Sequence, residues 1–137
     1  MAYLLDTNVI SEPMRAKPNM KIVRWLNEID SAHVSVLTFG ELRKGIEGAK
    51  DEVRRSRLEA WLEGELVGRF AQRTHTVDAR IADRWGRLIA SAARPLPVVD
   101  SLLAATALSH DLILATRNVR DFADIAGLRL YDPWSDA

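Results

Sequence analysis

The chain has 137 residues, 47% apolar and 28% charged, with 19 basic side chains balanced by 19 acidic ones. That length suits one domain able to bury roughly two-thirds of its unfolded surface, and the composition is that of a folded protein. No apolar run reaches the roughly 20 residues of a membrane span, no secretory signal pattern opens the chain, and the absence of cysteine excludes disulfides, thiolate nucleophiles and zinc–thiolate sites. A cytoplasmic protein is the expectation. Zero net charge provides no global attraction for a polyanion, so local basic patches or bound cations have to supply it.

Tyr3-Leu4-Leu5 reads as a short buried strand and Asp6-Thr7-Asn8 as the turn that leaves it. Beyond Pro13, Asn19 caps a helix whose Ile22, Val23, Leu26 and Ile29 recur at helical spacing. Residues 33–37 are β-branched enough for a second strand, and residues 38–48 read as a helix. Residues 51–70 form a longer helix with Leu58, Trp61, Leu62 and Leu66 on one stripe. A brief strand is expected at 74–77, then a helix capped by Asp78 and carrying Ile81, Trp85, Leu88 and Ile89. Pro95 and Pro97 end that helix; Val98-Val99 enters Asp100, and residues 102–110 are helical. Residues 112–116 read as a buried strand and 128–131 as a last one after Gly127. Alternating strands and helices predict an α/β fold with a parallel sheet between helical layers. With no repeat or linker, residues 1–137 are expected to be one domain.

Asp6 falls at the carboxyl end of a strand, where open α/β sheets bind ligands. Its local alternative is an N-cap or Asx-turn, with Thr7 and Asn8 either orienting it or closing the turn. Glu41 has the spacing of a capping box with Thr38, and equally the position of a carboxylate overhanging the sheet edge. Asp100 is open to the same two readings; the small residues Ala104, Ala105 and Ala107 let its helix pack close to the sheet and bring Asp100 toward Asp6. Asn118 and Asp121 follow the 112–116 strand and offer an amide oxygen and a carboxylate, although Asp121 can also cap a short helix. His33, His75 and His110 lack ligand spacing and read as structural or surface residues, and the four tryptophans as core or interface.

Three or four carboxylates gathered together raise one another's pKa values unless a counter-charge is present. Mg²⁺ or Mn²⁺ supplies one through oxygen ligands, activates water and neutralises charge on a phosphodiester. There is no Gly-rich Walker loop and no Gly-x-Ser-x-Gly elbow, and the second acid of an aspartyl-phosphate phosphatase is replaced by Asn8. Metal-dependent phosphodiester hydrolysis is the chemistry left.

Four blocks, in order, carry a resemblance: Leu5-Asp6-Thr7-Asn8-Val9-Ile10-Ser11-Glu12-Pro13; Thr38-x-x-Glu41-Leu42-x-x-Gly45; Asp100-x-Leu102-x-Ala104-Ala105-Thr106-Ala107; and Ala115-Thr116-Arg117-Asn118-x-x-Asp121-Phe122. With the ending Asp132-Pro133-Trp134, the chain resembles the PIN domain family over essentially its whole length, and within it the VapC-type (FitB-like) toxins of bacterial toxin–antitoxin pairs. The resemblance implies a three-layer α/β/α fold with a central, mainly parallel sheet of about four or five strands. It also implies an acidic Mg²⁺ or Mn²⁺ site, endoribonuclease activity, a homodimer, and a cognate antitoxin that carries the assembly to operator DNA. Asp6, Glu41 and Asp100 become the core acids, with Asp6 and Asp100 holding metal most directly; Asp121 joins them, supported by Thr7, Asn8, Thr116 and Asn118. Arg43, Lys44 and Arg117 are candidate RNA contacts from their proximity in sequence. The rivals are a catalytically weak partner protein that tunes antitoxin binding to operator DNA, and a metal nuclease acting on DNA.

Overall fold

Leu4 and Leu5 are both fully buried, and because successive strand side chains face opposite ways, they enter two different cores. That alternation at the middle of the sheet sets the architecture. The computed structural model describes residues 1–135. Strand β1 (Ala2–Leu5) leads through Asp6 into the short helix α1 (Thr7–Ile10) and a 3₁₀ turn at Glu12–Met14. Helix α2 (Met20–Glu28), strand β2 (Ser31–Ser35) and helix α3 (Val36–Glu47) follow. Helix α4 (Glu52–Trp61) continues through a π-helical segment, Leu62–Leu66, into α5 (Val67–Arg69). Strand β3 (Thr74–His75), helices α6 (Ala79–Ser91) and α7 (Val98–Ser109), strand β4 (Ile113–Ala115), a 3₁₀ turn at Val119–Phe122 and strand β5 (Leu130–Tyr131) complete the order.

The five strands form one sheet in the order β3-β2-β1-β4-β5, every neighbouring pair parallel. Leu5, Val9, Ile22, Leu42, Ile46, Leu66 and Phe70 form the core on one face, under α1 to α5. Leu4, Leu103, Ala104, Ala107, Leu114 and Phe122 form the other, under α7, with Leu88 of α6 against it. Ala104, Ala105 and Ala107 are fully buried, as the small-residue pattern of α7 requires for close approach. The expected α/β/α layers and parallel sheet are therefore present, with five strands. Among the described residues, no helix is long and apolar enough to cross a membrane.

Asn19, Asp51 and Asp78 cap their helices, each accepting from a backbone N–H of the first turn. Two boundaries differ from expectation. Ser35, not Thr38, caps α3, its hydroxyl accepting from Leu37 N at 3.1 Å, so β-branched Val36 and its neighbour Leu37 are helical although they continue the apolar strand pattern. Thr38 lies inside that helix, buried, with its hydroxyl unpartnered among the described residues. The helix expected from residue 102 starts earlier: α7 begins at Val98, with Pro97 as N-cap. Proline supplies the non-helical cap conformation, and its missing N–H is no loss at the start of a helix.

Candidate active site

Chain order runs outward from β1 through β2 to β3, then crosses to β4 and β5 on the other side. The reversal lies between β1 and β4, and open parallel sheets bind ligands at the carboxyl ends of such a pair. Asp6 directly follows β1 and Thr116 directly follows β4. Asp6 N donates to Ala115 O at 2.9 Å, which ties the two strand ends together.

Thr116 is the hub of this junction. It is fully buried, and its hydroxyl donates to Asp6 Oδ2 at 2.8 Å while accepting from Asn118 N at 3.1 Å. Asn8 Nδ2 lies 3.4 Å from the same hydroxyl and 3.5 Å from Asp6 Oδ2, and Asn8 Oδ1 accepts from Arg117 N at 3.2 Å. The other oxygen of Asp6 accepts from Thr7 N at 2.8 Å, capping α1. Asp6 thus does cap a helix, yet only one of its oxygens is committed to that role.

Thr7 turns its hydroxyl the opposite way, donating to Glu41 Oε1 at 2.6 Å. Glu41 is free to take that bond because Ser35 caps α3; the capping-box alternative for Glu41 is removed. Asp100 sits in the first turn of α7, not at its N-cap, and reaches the site from a helix rather than a strand end. It accepts no hydrogen bond among the described residues. Asp121 lies within the 3₁₀ turn after β4, with Asn118 preceding that turn and offering no side-chain cap.

These acids share one field. Burial pushes the Asp6 carboxyl above its usual range; the bonds from Thr116 and Thr7 pull it back, and the charges of Glu41 and Asp121 push it up further. Asp100 is raised first by burial and then by Asp6, Glu41 and Asp121. The four carboxylates named from the sequence therefore converge electrostatically. They do so as an open group: among the described residues no three His, Cys, Asp or Glu side chains form a ready-made metal cage. Hard oxygen donors that repel one another, without a closed cage, suit an ion that keeps most of its waters and takes one or two carboxylates directly, which is Mg²⁺ behaviour rather than that of structural zinc.

The basic candidates separate. Arg43 is engaged by Glu59, Glu63 and Glu47, so its guanidinium ties α3 to α4 and the π-helical segment. Lys44 is exposed one turn beyond Glu41, and Arg117 is exposed at the crevice with its guanidinium 5.1 Å from the centre of the Trp134 ring. Trp134 had no functional reading in the sequence, since its contact with Arg117 is made only by the fold. The histidines do come together: His33 Nδ1 lies 2.9 Å from His75 Nε2, and the His75 and His110 ring centres are 4.2 Å apart. A cavity of about 530 Å³ between α6 and the 124–126 turn is lined by none of Asp6, Glu41, Asp100 and Asp121.

Comparison with known proteins agrees with this geometry. The chain is similar to the toxin FitB of Neisseria gonorrhoeae, 34% identical over 97% of this chain and 99% of that protein. It is also 34% identical to the VapC ribonuclease Y4jK of Sinorhizobium fredii, over 98% of this chain and 99% of the relative. The solved FitAcB structure from Neisseria gonorrhoeae matches with a TM-score of 0.89 at 32% identity, covering 98% of this chain and 99% of that one. The DNA-bound VapBC structure from Salmonella typhimurium matches at 0.80 and 28% identity, over 97% and 98% of the two chains. The family profile described as PIN domain matches residues 3–128, and this chain belongs to the PIN domain family.

Proposed function

We propose that the protein is a Mg²⁺-dependent endoribonuclease and the toxin of a toxin–antitoxin pair. The observation that carries this reading is the set of four acids at the β1/β4 switch point, two of them driven up in pKa by burial and by one another. Mn²⁺ is a plausible substitute by ligand chemistry.

Asp6 and Asp100 would hold the ion, Asp6 through the oxygen that Thr116 orients and Asp100 through a carboxylate with no other partner. When bound, Mg²⁺ supplies a more acidic water and neutralises charge developing on the phosphodiester. Glu41, fixed by the Thr7 hydroxyl, is placed to orient the attacking water and accept its proton. Asp121 adds negative charge to the same field and supports the ion through water. Asn8 and Asn118 hold the β4 exit against Asp6, while Lys44 and Arg117 draw the RNA backbone toward an otherwise acidic crevice.

The similarity to FitB and to proteins solved as FitAcB and DNA-bound VapBC supports a small antitoxin partner and an assembly with operator DNA. The relative named a VapC ribonuclease supports RNA as substrate. We further propose a homodimer as the working unit. The test is cleavage of total tRNA and of a structured RNA by protein freed of any co-purifying partner, in Mg²⁺, Mn²⁺ and EDTA, beside Asp6→Asn. Metal-dependent cleavage lost in the variant is the expected result. Cleavage that survives in the variant, or none by well-folded metal-loaded protein, overturns the reading; the second outcome favours the partner-protein alternative.

A further inference from the structure

We propose that Arg117, steadied by Trp134, is a platform that stacks the base of a nucleotide flanking the scissile phosphate and so sets the cleavage preference. This rests on the ribonuclease reading and deepens it. Arg117 is tethered on both sides of its backbone: its own N–H is held by Asn8 Oδ1, and Thr116 before it is bonded to Asp6. Its exposed side chain therefore starts from a fixed point beside Asp6. A cation there has four carboxylates to choose from, yet the charges that set Asp6 and Asp100 are those of the other acids, and Arg117 is not among them. Nor does it pair with any carboxylate among the described residues, in contrast to Arg43, Arg94 and Arg129.

Its partner is instead an aromatic face. Trp134 is half-buried: its indole packs against the core that contains Leu5, Val9 and Ile10, and its backbone N–H donates to Asp132 Oδ1 at 2.9 Å, which fixes the turn that carries the ring. Strand β5 and the turn after it thus bring the ring beside Arg117. A guanidinium over such a ring keeps its charge and loses rotational freedom while staying exposed. Planar guanidinium groups stack on unpaired RNA bases, which an ammonium cannot do. A plain phosphate grip needs no aromatic support; the Trp134 ring is what distinguishes a base platform from a charge.

Arg117→Lys keeps the charge and removes the plane; Trp134→Leu keeps an apolar anchor and removes the ring; Trp134→Phe keeps a smaller ring, and thermal melts check that each variant is folded. The first readout is binding of fluorescein-labelled random-sequence single-stranded RNA, and of an abasic RNA of the same length, in Ca²⁺. The second is cleavage of the random library in Mg²⁺ with the cut ends sequenced. Arg117→Lys and Trp134→Leu should lower affinity for the base-bearing RNA about tenfold, the scale of one stacked base, while leaving abasic RNA nearly unaffected; Trp134→Phe should fall between. KM should rise with kcat largely kept, and the base preference beside the cut should flatten. Wild-type binding and preference in Arg117→Lys overturn the platform, as does a fall in kcat without a change in KM, which places Arg117 on the reacting phosphate. Base-dependent binding through Arg117 without any cleavage by wild type sinks the ribonuclease reading and not the platform. Normal cleavage with a preference indifferent to Arg117 does the reverse.

Discussion

Thr116 shows how one hydroxyl can hold a charged site together. It donates to Asp6, accepts from Asn118 N, and stands beside the Asn8 amide, all from a fully buried position. Thr116→Val keeps the shape and removes the donor and the acceptor together. The buried groups left unpaired should cost about 1–3 kcal/mol of stability. Because Asp6 also loses the bond that orients its free oxygen, Mg²⁺ affinity or cleavage should fall roughly 10–100-fold, the usual effect of removing an orienting partner of a metal ligand. Thr116→Ser retains the hydroxyl and should recover most of both losses; denaturant melts and a Mg²⁺ titration of cleavage check the pair. Asp6, Glu41, Asp100 and Asp121 could be named from the chain, but through family motifs and not through local chemistry, which offered caps as alternatives. The role of Thr116 was not legible at that level, because its bond to Asp6 joins positions 110 residues apart. The carboxylate partners of Arg43 were hidden for the same reason: Glu59 and Glu63 lie on the following helical rod.

Elements whose signals are local were readable, and those decided by competition between neighbours were not. Asn19, Asp51 and Asp78 each stand just before an apolar periodic run, and each caps its helix. At residues 35–38 the strand pattern runs on into a helix, and only the Ser35 cap decides where it stops. The π-helical segment at Leu62–Leu66 carries no sequence signal, since its stripe differs little from that of an α-helix. The histidine cluster is the clearest case: β2, β3 and the end of α7 each contribute one ring that means nothing alone. Burial and the neighbouring His110 and His33 depress His75 to about 4, against a small opposing pull from Asp78. Burial, Arg73 and His110 lower His33 as well. Between about pH 6.5 and 4 the unfolded chain takes up a proton at position 75 that the folded one refuses, so stability falls as pH drops through that window. His75→Asn removes this loss. Thermal melts at pH 7 and pH 5 should show a smaller drop for the variant than for wild type; equal drops would remove the cluster as a cause of acid sensitivity.

At the scale of the whole molecule the same fold carries a second, opposite pH dependence, and a cation separates the two. Asp6 and Asp100 are raised above 3.8 by burial and mutual repulsion, so the folded state holds protons that the unfolded state has already released. Their contribution to stability is fully present below the ordinary carboxylate pKa and is lost as pH rises through the elevated one. At neutral pH the metal-free protein therefore carries repulsion across its central β1/β4 junction. Asp6→Asn relieves that repulsion while keeping a good N-cap for α1, since asparagine caps as well as aspartate. In EDTA at pH 7 the variant should melt a few degrees above wild type. Mg²⁺ should reverse the order: an ion bound only by the native site adds about 2.7 kcal/mol at a hundred times its Kd, several degrees for a domain of this size. Wild type should take that gain in full and the variant little of it, because one of the two ligands proposed for the ion has lost its charge. The histidine cluster does not enter this comparison; His110 lies ten residues from Asp100 along α7, roughly 15 Å, and is common to both proteins. A variant that melts below wild type in EDTA makes Asp6 a structural cap before anything else. A variant that gains from Mg²⁺ as much as wild type moves the ion away from β1, to Asp100 and its neighbours.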